Sequence, residues 1–356
     1  MRHAGGLIAL TAALAAAGCG SDGSGRPDGA AAAPSPTATA SPAATPAPPP
    51  AARPPAASVR LRSYRVPEGS RPHDVAPAAD GTVWYTAQGV GRLGRLNPRT
   101  GRVREVDLGA GSAPHGVIVG PDGAAWVTDG GRDAITRVDA RSHRVREYPL
   151  PAGRRAANLN TATFSGRILW FTGQSGIYGS LDIRSGRMRV HDAPRGPGPY
   201  GIATTPRGAV YYASLAGGYL GRIDRRSGRA TVLEPPTRGQ GARRVWADSR
   251  GRLWISEYGA GRLGRYDPRT RRWHEWPLPG DAPAPYAIYV DDHDIVWLSD
   301  FASNRLVRFD PRSERFRTYP WPAGDAAVRQ LLGRPGELWG AQSGADSLVV
   351  ARTGRR

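Results

Sequence analysis

Hydrophobic and polar positions along this chain repeat with a period of about 42 residues, seven times over. Each unit is anchored by a short apolar run carrying an aromatic residue. These runs are GTVWYT (81–86), GAAWVT (123–128), RILWFT (167–172), GAVYYA (208–213), GRLWIS (251–256), DIVWLS (294–299) and GELWGA (336–341). After each of the first six comes a run with a polar turn inside it, such as GRLGRLNPRTGRV (91–103) or GYLGRIDRRSGRA (218–230). A third piece alternates apolar and polar residues and ends in Pro or Gly, as in REYPLPAG (146–153) and HEWPLPGD (274–281). With an inner strand ahead of each Trp run, every unit supplies four strand-sized segments parted by Gly, Pro and Asp turns. Helical periodicity is absent.

A four-stranded sheet of this size cannot bury both faces alone, so the units must stack face to face around an axis. The seventh unit stops after DSLVVARTG (346–354), its third strand. Its missing outer strand is supplied from the other end, where RSYRVPEG (62–69) reads like REYPLPAG. An N-terminal strand closing the last blade leaves no exposed edge. Length alone suggests two domains. The repeat predicts one: an all-β, seven-bladed β-propeller over residues 59–356.

What precedes the repeats has no folding pattern. Residues 1–19 combine Arg2 and His3, an apolar run from Leu7 to Ala17, and Gly18-Cys19. That run is too short to span a bilayer and reads as an export signal. Small residues at Ala16 and Gly18, followed by the chain's only cysteine, resemble the lipobox of bacterial lipoproteins, with Cys19 as the lipidated residue. Residues 20–58 are Ala, Pro, Ser, Thr and Gly with few large apolar side chains, the composition of a disordered linker. The expectation is a bacterial protein anchored by lipid to the outer side of the cytoplasmic membrane.

Net charge is +19, and all of the basic residues are arginine. They concentrate in the turn between the third and fourth strands, as in NPRTGRVR (97–104), DARSHRVR (139–146), DIRSGRMR (182–189) and DPRSERFR (310–317). This makes a basic rim on one face, without the groove of stacking aromatics that single-stranded nucleic acid requires. A nucleic-acid partner is therefore not expected, and the chain is expected to be a monomer. Anionic envelope polymers or lipid headgroups would suit such a rim.

Strand alternation puts the start of each inner strand beside the end of the Trp strand, on the face opposite the Arg-rich turns. The axial funnel there is where several blades converge. Its inner-strand positions read as His73, His115, Asn158, Tyr200, Arg243, Tyr286 and Val328. Three residues after each Trp, or its Tyr211 equivalent, stand Ala87, Asp129, Gly173, Ser214, Glu257, Asp300 and Gln342. The sharpest subset is His73, His115 and Asp129. Both histidines follow proline, in RPHDV (71–75) and APHGV (113–117), one period apart. A histidine beside a carboxylate can serve as a general base. A histidine at such a strand start can equally do no more than bond the neighbouring blade.

The repeats, clearest in APHGVIVGPDGAAWVTD (113–129) and RRWHEWPLP (271–279), resemble those of the virginiamycin B lyases, also called streptogramin B lyases. The resemblance covers residues 59–356. It implies a carbon–oxygen lyase that linearises a cyclic depsipeptide at its ester without water. A His base removes the proton alpha to a carbonyl, and Mg2+ held by two Glu stabilises the enolate. Carried over by motif, His115 matches the base, His73 a second histidine, and Asp129 stands for one metal Glu. The other Glu, which precedes Pro-His in the family, is Ala113 here, and Arg71 precedes the first Pro-His.

Three functions are therefore open. The first is a metal-assisted lyase with His115 and His73 catalytic and Asp129 on Mg2+. The second is a non-catalytic envelope module binding a small molecule or peptide in the funnel, through Asn158, Tyr200, Arg243, Glu257, Tyr286 and Asp300. The third is a lactonase-like hydrolase.

Overall fold

The computed structural model describes residues 59–154 and 156–353. The expected signal peptide, Cys19 and the linker lie outside the described residues. Among those described, 28 strands form seven four-stranded antiparallel sheets. The propeller read from the repeat is the fold observed.

The first blade shows the logic. Its inner strand is Pro72–Pro77, followed by Val83–Ala87, Arg92–Leu96 and Val103–Asp107. The second strand, VWYTA, is buried at every position because sheets cover both of its faces. The outer strand has only half-buried and exposed positions, as an edge facing water should. Trp84, Trp126, Trp254, Trp297 and Trp339 are fully buried between blades. Several indole N–H groups reach an acid in the preceding turn: Trp126 Nε1 donates to Asp122 at 3.0 Å, Trp254 to Asp248 at 3.0 Å and Trp297 to Asp291 at 2.8 Å. The Asp of each such turn therefore satisfies the buried donor of its own blade.

The glycine in GRLGR has a packing cause. A Cβ on Gly94 would overlap the ring tip of Tyr85, and Gly221 stands in the same relation to Tyr212. Each inner strand also carries a bulge, two residues facing one on the second strand, as between Pro72 and Val75. A hydroxyl two residues after the Trp bridges that bulge to the next blade. Thr86 Oγ1 accepts from Asp74 N–H and donates to the His115 carbonyl, both at 2.9 Å. Thr128, Thr172, Ser256 and Ser299 repeat the link. Ala213 and Ala341 interrupt it, and at the second of these junctions the Gln330 amide oxygen accepts from Val75 N–H at 3.0 Å instead.

The ring closes as expected. Arg60–Arg65 pairs antiparallel with Ser347–Arg352, with Tyr64 opposite Leu348. Tyr64 packs on Trp339 with ring centroids 5.6 Å apart, and both join a core cluster with Val75 and Tyr85 of the first blade. The Arg-rich turns lie between third and fourth strands, with Arg99, Arg141, Arg184, Arg226, Arg269 and Arg312 exposed.

Candidate functional site: the axial funnel

Strand pairing corrects two of the expected funnel positions. In the first blade Pro72 pairs with Ala87, and His73 is the next residue, in the bulge. The same register gives His115, Asn160, Tyr200, Arg243, Tyr286 and Arg329. Asn158 instead stands before the third blade's inner strand, exposed, with φ +50°. Val328 occupies the place of Pro72, one residue before the funnel. The cause is hairpin length. In the third and seventh blades only two residues, 166–167 and 335–336, connect the inner strand to the next, against five (78–82) in the first. The funnel residue there comes ten positions before the Trp rather than eleven. That shortened turn, visible in FSGRILW and GRPGELW, is the signal that locates Asn160 and Arg329 in the sequence.

His73, His115, Tyr200, Arg243, Tyr286 and Arg329 line one open funnel of about 780 Å3. Asp129, Glu257 and Asp300 are not among its walls. Asp129 is buried and caps its own loop, accepting from Ser112 Oγ at 2.5 Å and from the N–H groups of Ala113, Gly131 and Arg132 at 2.9, 3.1 and 3.2 Å. Asp300 does the same, accepting from Ala284 and Ala302 N–H at 2.7 and 3.2 Å and from Ser303 Oγ. Glu257 is buried within its blade beside Gly264, and neither carboxylate oxygen has a partner.

Beneath the mouth lies a chain of polar contacts that sequence reasoning missed. It uses the residues next to the funnel positions. His73 Nδ1 donates to Asp74 Oδ1 at 2.8 Å. Arg244, from the opposite side of the ring, grips both Asp74 oxygens at 3.0 and 3.4 Å. Its Nη1 also donates to Thr161 Oγ1 at 3.2 Å, and that hydroxyl donates to Asn160 Oδ1 at 2.8 Å. With Oδ1 so engaged, Asn160 Nδ2 faces His115 Nε2 at 3.2 Å. Gly201 leaves room for this crossing, since a Cβ there would stand 2.6 Å from Arg244 Cα. Arg244 and Asp74 are almost wholly buried and border a cavity of only about 30 Å3 deeper on the axis.

These contacts set the protonation states. Burial, then the charges of Arg244, Arg329 and Arg243, hold the His73 imidazole well below its ordinary value. Burial and the adjacent His73 do the same for His115. Both rings are therefore neutral at neutral pH, with centroids 3.9 Å apart. His73 carries its proton on Nδ1, toward Asp74, which leaves Nε2 with the lone pair. His115 accepts at Nε2 from Asn160, so its proton is also on Nδ1, a buried atom with no partner. Higher in the funnel the Tyr200 and Tyr286 hydroxyls meet at 2.6 Å, and Arg243 Nη2 donates to Tyr200 at 3.3 Å. Burial raises Tyr200 to about 12. It opposes ionisation of Tyr286 too, but Arg243 and Arg244 offset it and draw that phenol below its ordinary value.

A sequence profile of the Virginiamycin B lyase family matches residues 56–308. The chain belongs to this family. Solved structures agree on the fold. Virginiamycin B lyase from Staphylococcus aureus aligns at 20% identity and a TM-score of 0.77, over 83% of this chain and 99% of that one. A streptogramin B lyase structure aligns at 21% identity and 0.76, over 83% and 98%. A catalytically inactive His-to-Ala variant of the S. aureus enzyme, crystallised with quinupristin, aligns at 20% and 0.77, over 83% and 99%. No curated protein sequence matches significantly.

The family implies a magnesium ion, a hard cation that needs oxygen ligands. The positions that the family's motif would use for it do not offer them. Residue 113 is alanine, the oxygens of Asp129 accept from its own loop, and those of Asp74 lie in the Arg244 fork. Among the described residues the one group compact enough for a metal is His73, Asp74 and His115, with ligand atoms within 4.8 Å of one another. That set is rich in nitrogen and already cross-linked to Arg244.

Proposed function

We propose that this member of the virginiamycin B lyase family is a ligand-capturing propeller, binding a small molecule or peptide in its axial funnel. In this reading a lipidated Cys19 holds it outside the cytoplasmic membrane, with residues 20–58 as the tether. The observation that carries it is the contact of His115 Nε2 with Asn160 Nδ2 at 3.2 Å. A general base needs its lone pair toward the substrate, and Asn160 turns that of His115 inward, leaving a donor at Nδ1. The groups that do converge on the funnel are recognition groups: two tyrosines, two neutral histidines and guanidiniums.

One observation favours a second, catalytic reading. His73 is held by Asp74 through Nδ1, and its Nε2 keeps the lone pair. In a cyclic depsipeptide, Nε2 would take the proton alpha to a carbonyl, its electron pair forming a double bond to the beta carbon as the bond from that carbon to the ester oxygen breaks and the carboxylate leaves. Its lowered pKa makes it a weak base.

Incubating the full chain with quinupristin separates the two. Elimination opens the ring without changing mass and shifts the retention time, whereas hydrolysis adds one water. Binding without ring opening, with or without added magnesium, is expected. Nitrogen-15 spectra should show both imidazoles neutral and protonated at Nδ1 at pH 6.5. Ring opening lost in His73→Ala but kept in His115→Ala would establish the second reading. Magnesium-dependent opening lost in His115→Ala would overturn both.

A further inference from the structure

Arginines elsewhere in this propeller commonly lie against carboxylates, as Arg244 does with Asp74, Arg137 with Asp122 and Arg252 with Asp248. Those at the funnel do not. Among the described residues, Arg71, Arg243 and Arg329 line the funnel and none has an ion-pair partner. Two carboxylates stand among the walls beside them. Asp346 is committed to the backbone N–H groups of Gly69 and Arg71, at 2.8 and 2.7 Å, and Asp325 is exposed.

Arg243 is also held in place. Its guanidinium carbon lies 3.5 Å from the ring centroid of Tyr286, 4.6 Å from that of Tyr200 and 4.8 Å from that of Tyr258. Tyr286 is backed by Phe301, stacked at 4.3 Å. Arg329 lies over the same pair of rings, 5.7 Å from Tyr286 and 5.6 Å from Phe301. A guanidinium fixed by stacking has already lost its rotamer freedom, so a ligand binding to it meets a prepared set of donors. Arg243 Nε is buried without an acceptor, and so is His115 Nδ1. The funnel thus presents two stacked guanidiniums, Arg243 and Arg329, with no carboxylate paired to either. The complementary ligand is rich in acceptors and negatively charged.

We infer that the funnel recognises its ligand through an oxyanion, a carboxylate or phosphate on a small organic molecule, bound by Arg243 and Arg329 over the Tyr286–Phe301 stack. This rests on the funnel being a capture site and adds the chemical class of what is captured. The anion replaces the missing acid partner of both arginines. The draw of Arg243 on the Tyr286 phenol reports the same positive field.

Three probes of similar shape test it with the full chain: benzoate, phenyl phosphate and the neutral benzamide. Calorimetric titration at low ionic strength should show one site for at least one anion, with benzamide at least tenfold weaker and anion affinity falling as salt rises. Whichever anion binds more tightly identifies the source of the oxyanion. Arg243→Gln and Arg329→Gln should each weaken the anion at least tenfold, with Arg243→Lys intermediate. Arg207→Gln, in a groove on the far face, should change nothing. Arg329→Gln keeps the test decisive if Arg243→Gln unfolds. Equal binding of benzamide, or unchanged anion affinity in Arg329→Gln, overturns the inference. If quinupristin still binds and Arg243→Ala or Tyr286→Ala abolishes it, the capture reading survives without the anion. If neither quinupristin nor any probe responds to these variants, both fall.

Discussion

At the residue scale the chemistry is decided by which side-chain atoms are already spoken for. Asp129 has the right residue type and the right repeat position for a ligand, yet its oxygens accept four donors from its own loop. Asp74, an ordinary residue in RPHDV, becomes the hub of the axis because Arg244 reaches it across the ring. Such pairings join residues from different blades and cannot be read from linear spacing. Glu257 is the opposite case, a carboxyl with no partner at all. Burial, helped by the charge of Glu275, pushes its pKa from an ordinary 4.5 to about 8. The folded protein therefore holds a proton that the unfolded chain releases above the ordinary value. Its contribution to stability is full below that pH and is lost as pH rises through 4.5 to about 8. Glu257→Gln should match the wild type at pH 5 and exceed it at pH 8.5, by on the order of 3 kcal/mol. Denaturant melts at the two pH values check this. Parallel stability–pH curves for the two proteins would show that Glu257 is ionised in the fold.

At the element scale, nearly all of the architecture is legible, because each strand carries its own reason. The Trp run is apolar throughout since it is covered on both faces. The Gly of the third strand answers an aromatic tip, and the Thr or Ser after the Trp answers the bulge. What the pattern hides is register within two inner strands. Leu159 and Val328 stand where other blades have Pro72, Pro114, Pro199 or Pro285, and a two-residue hairpin shifts the count by one. That slip, small in sequence, exchanges Asn158 for Asn160 and Val328 for Arg329, and so changes the chemistry of the mouth. The hydroxyl link gives a test of the bulge. In Thr128→Val the Gly116 N–H and the Asn160 carbonyl, bonded at 2.9 and 2.5 Å, both lose their partner in a buried place. Each orphaned group costs about 1–3 kcal/mol, so the variant should lose about 2–6 kcal/mol. Thr231→Val, at an exposed position of an outer strand, should lose far less. Similar losses in the two would mean that the bridge between blades contributes nothing.

At the scale of the whole molecule, the ring holds together because its two ends meet in one sheet. Arg60–Arg65 is the outer strand of the blade whose other three strands come from the C-terminal end, so the first and last parts of the propeller are joined by six paired residues. That join was legible from RSYRVPEG alone, since the seventh repeat lacks an outer strand and the first residues of the domain supply one. It makes a sharp contrast between two deletions. Removing residues 59–66 takes away Tyr64 and Val66 from the core cluster that joins the last blade to the first. It also bares the edge of Ser347–Arg352, a template for pairing with other chains. Removing residues 20–58 takes away a stretch whose composition cannot build a core. The first deletion should lower the melting temperature by more than ten degrees, on the order of several kcal/mol of lost burial and pairing, and promote association. The second should leave the melting temperature unchanged. Thermal melts with light scattering on both proteins decide it. If the two deletions melt alike, the N-terminal strand does not fasten the ring, and the seventh blade must be stable on three strands.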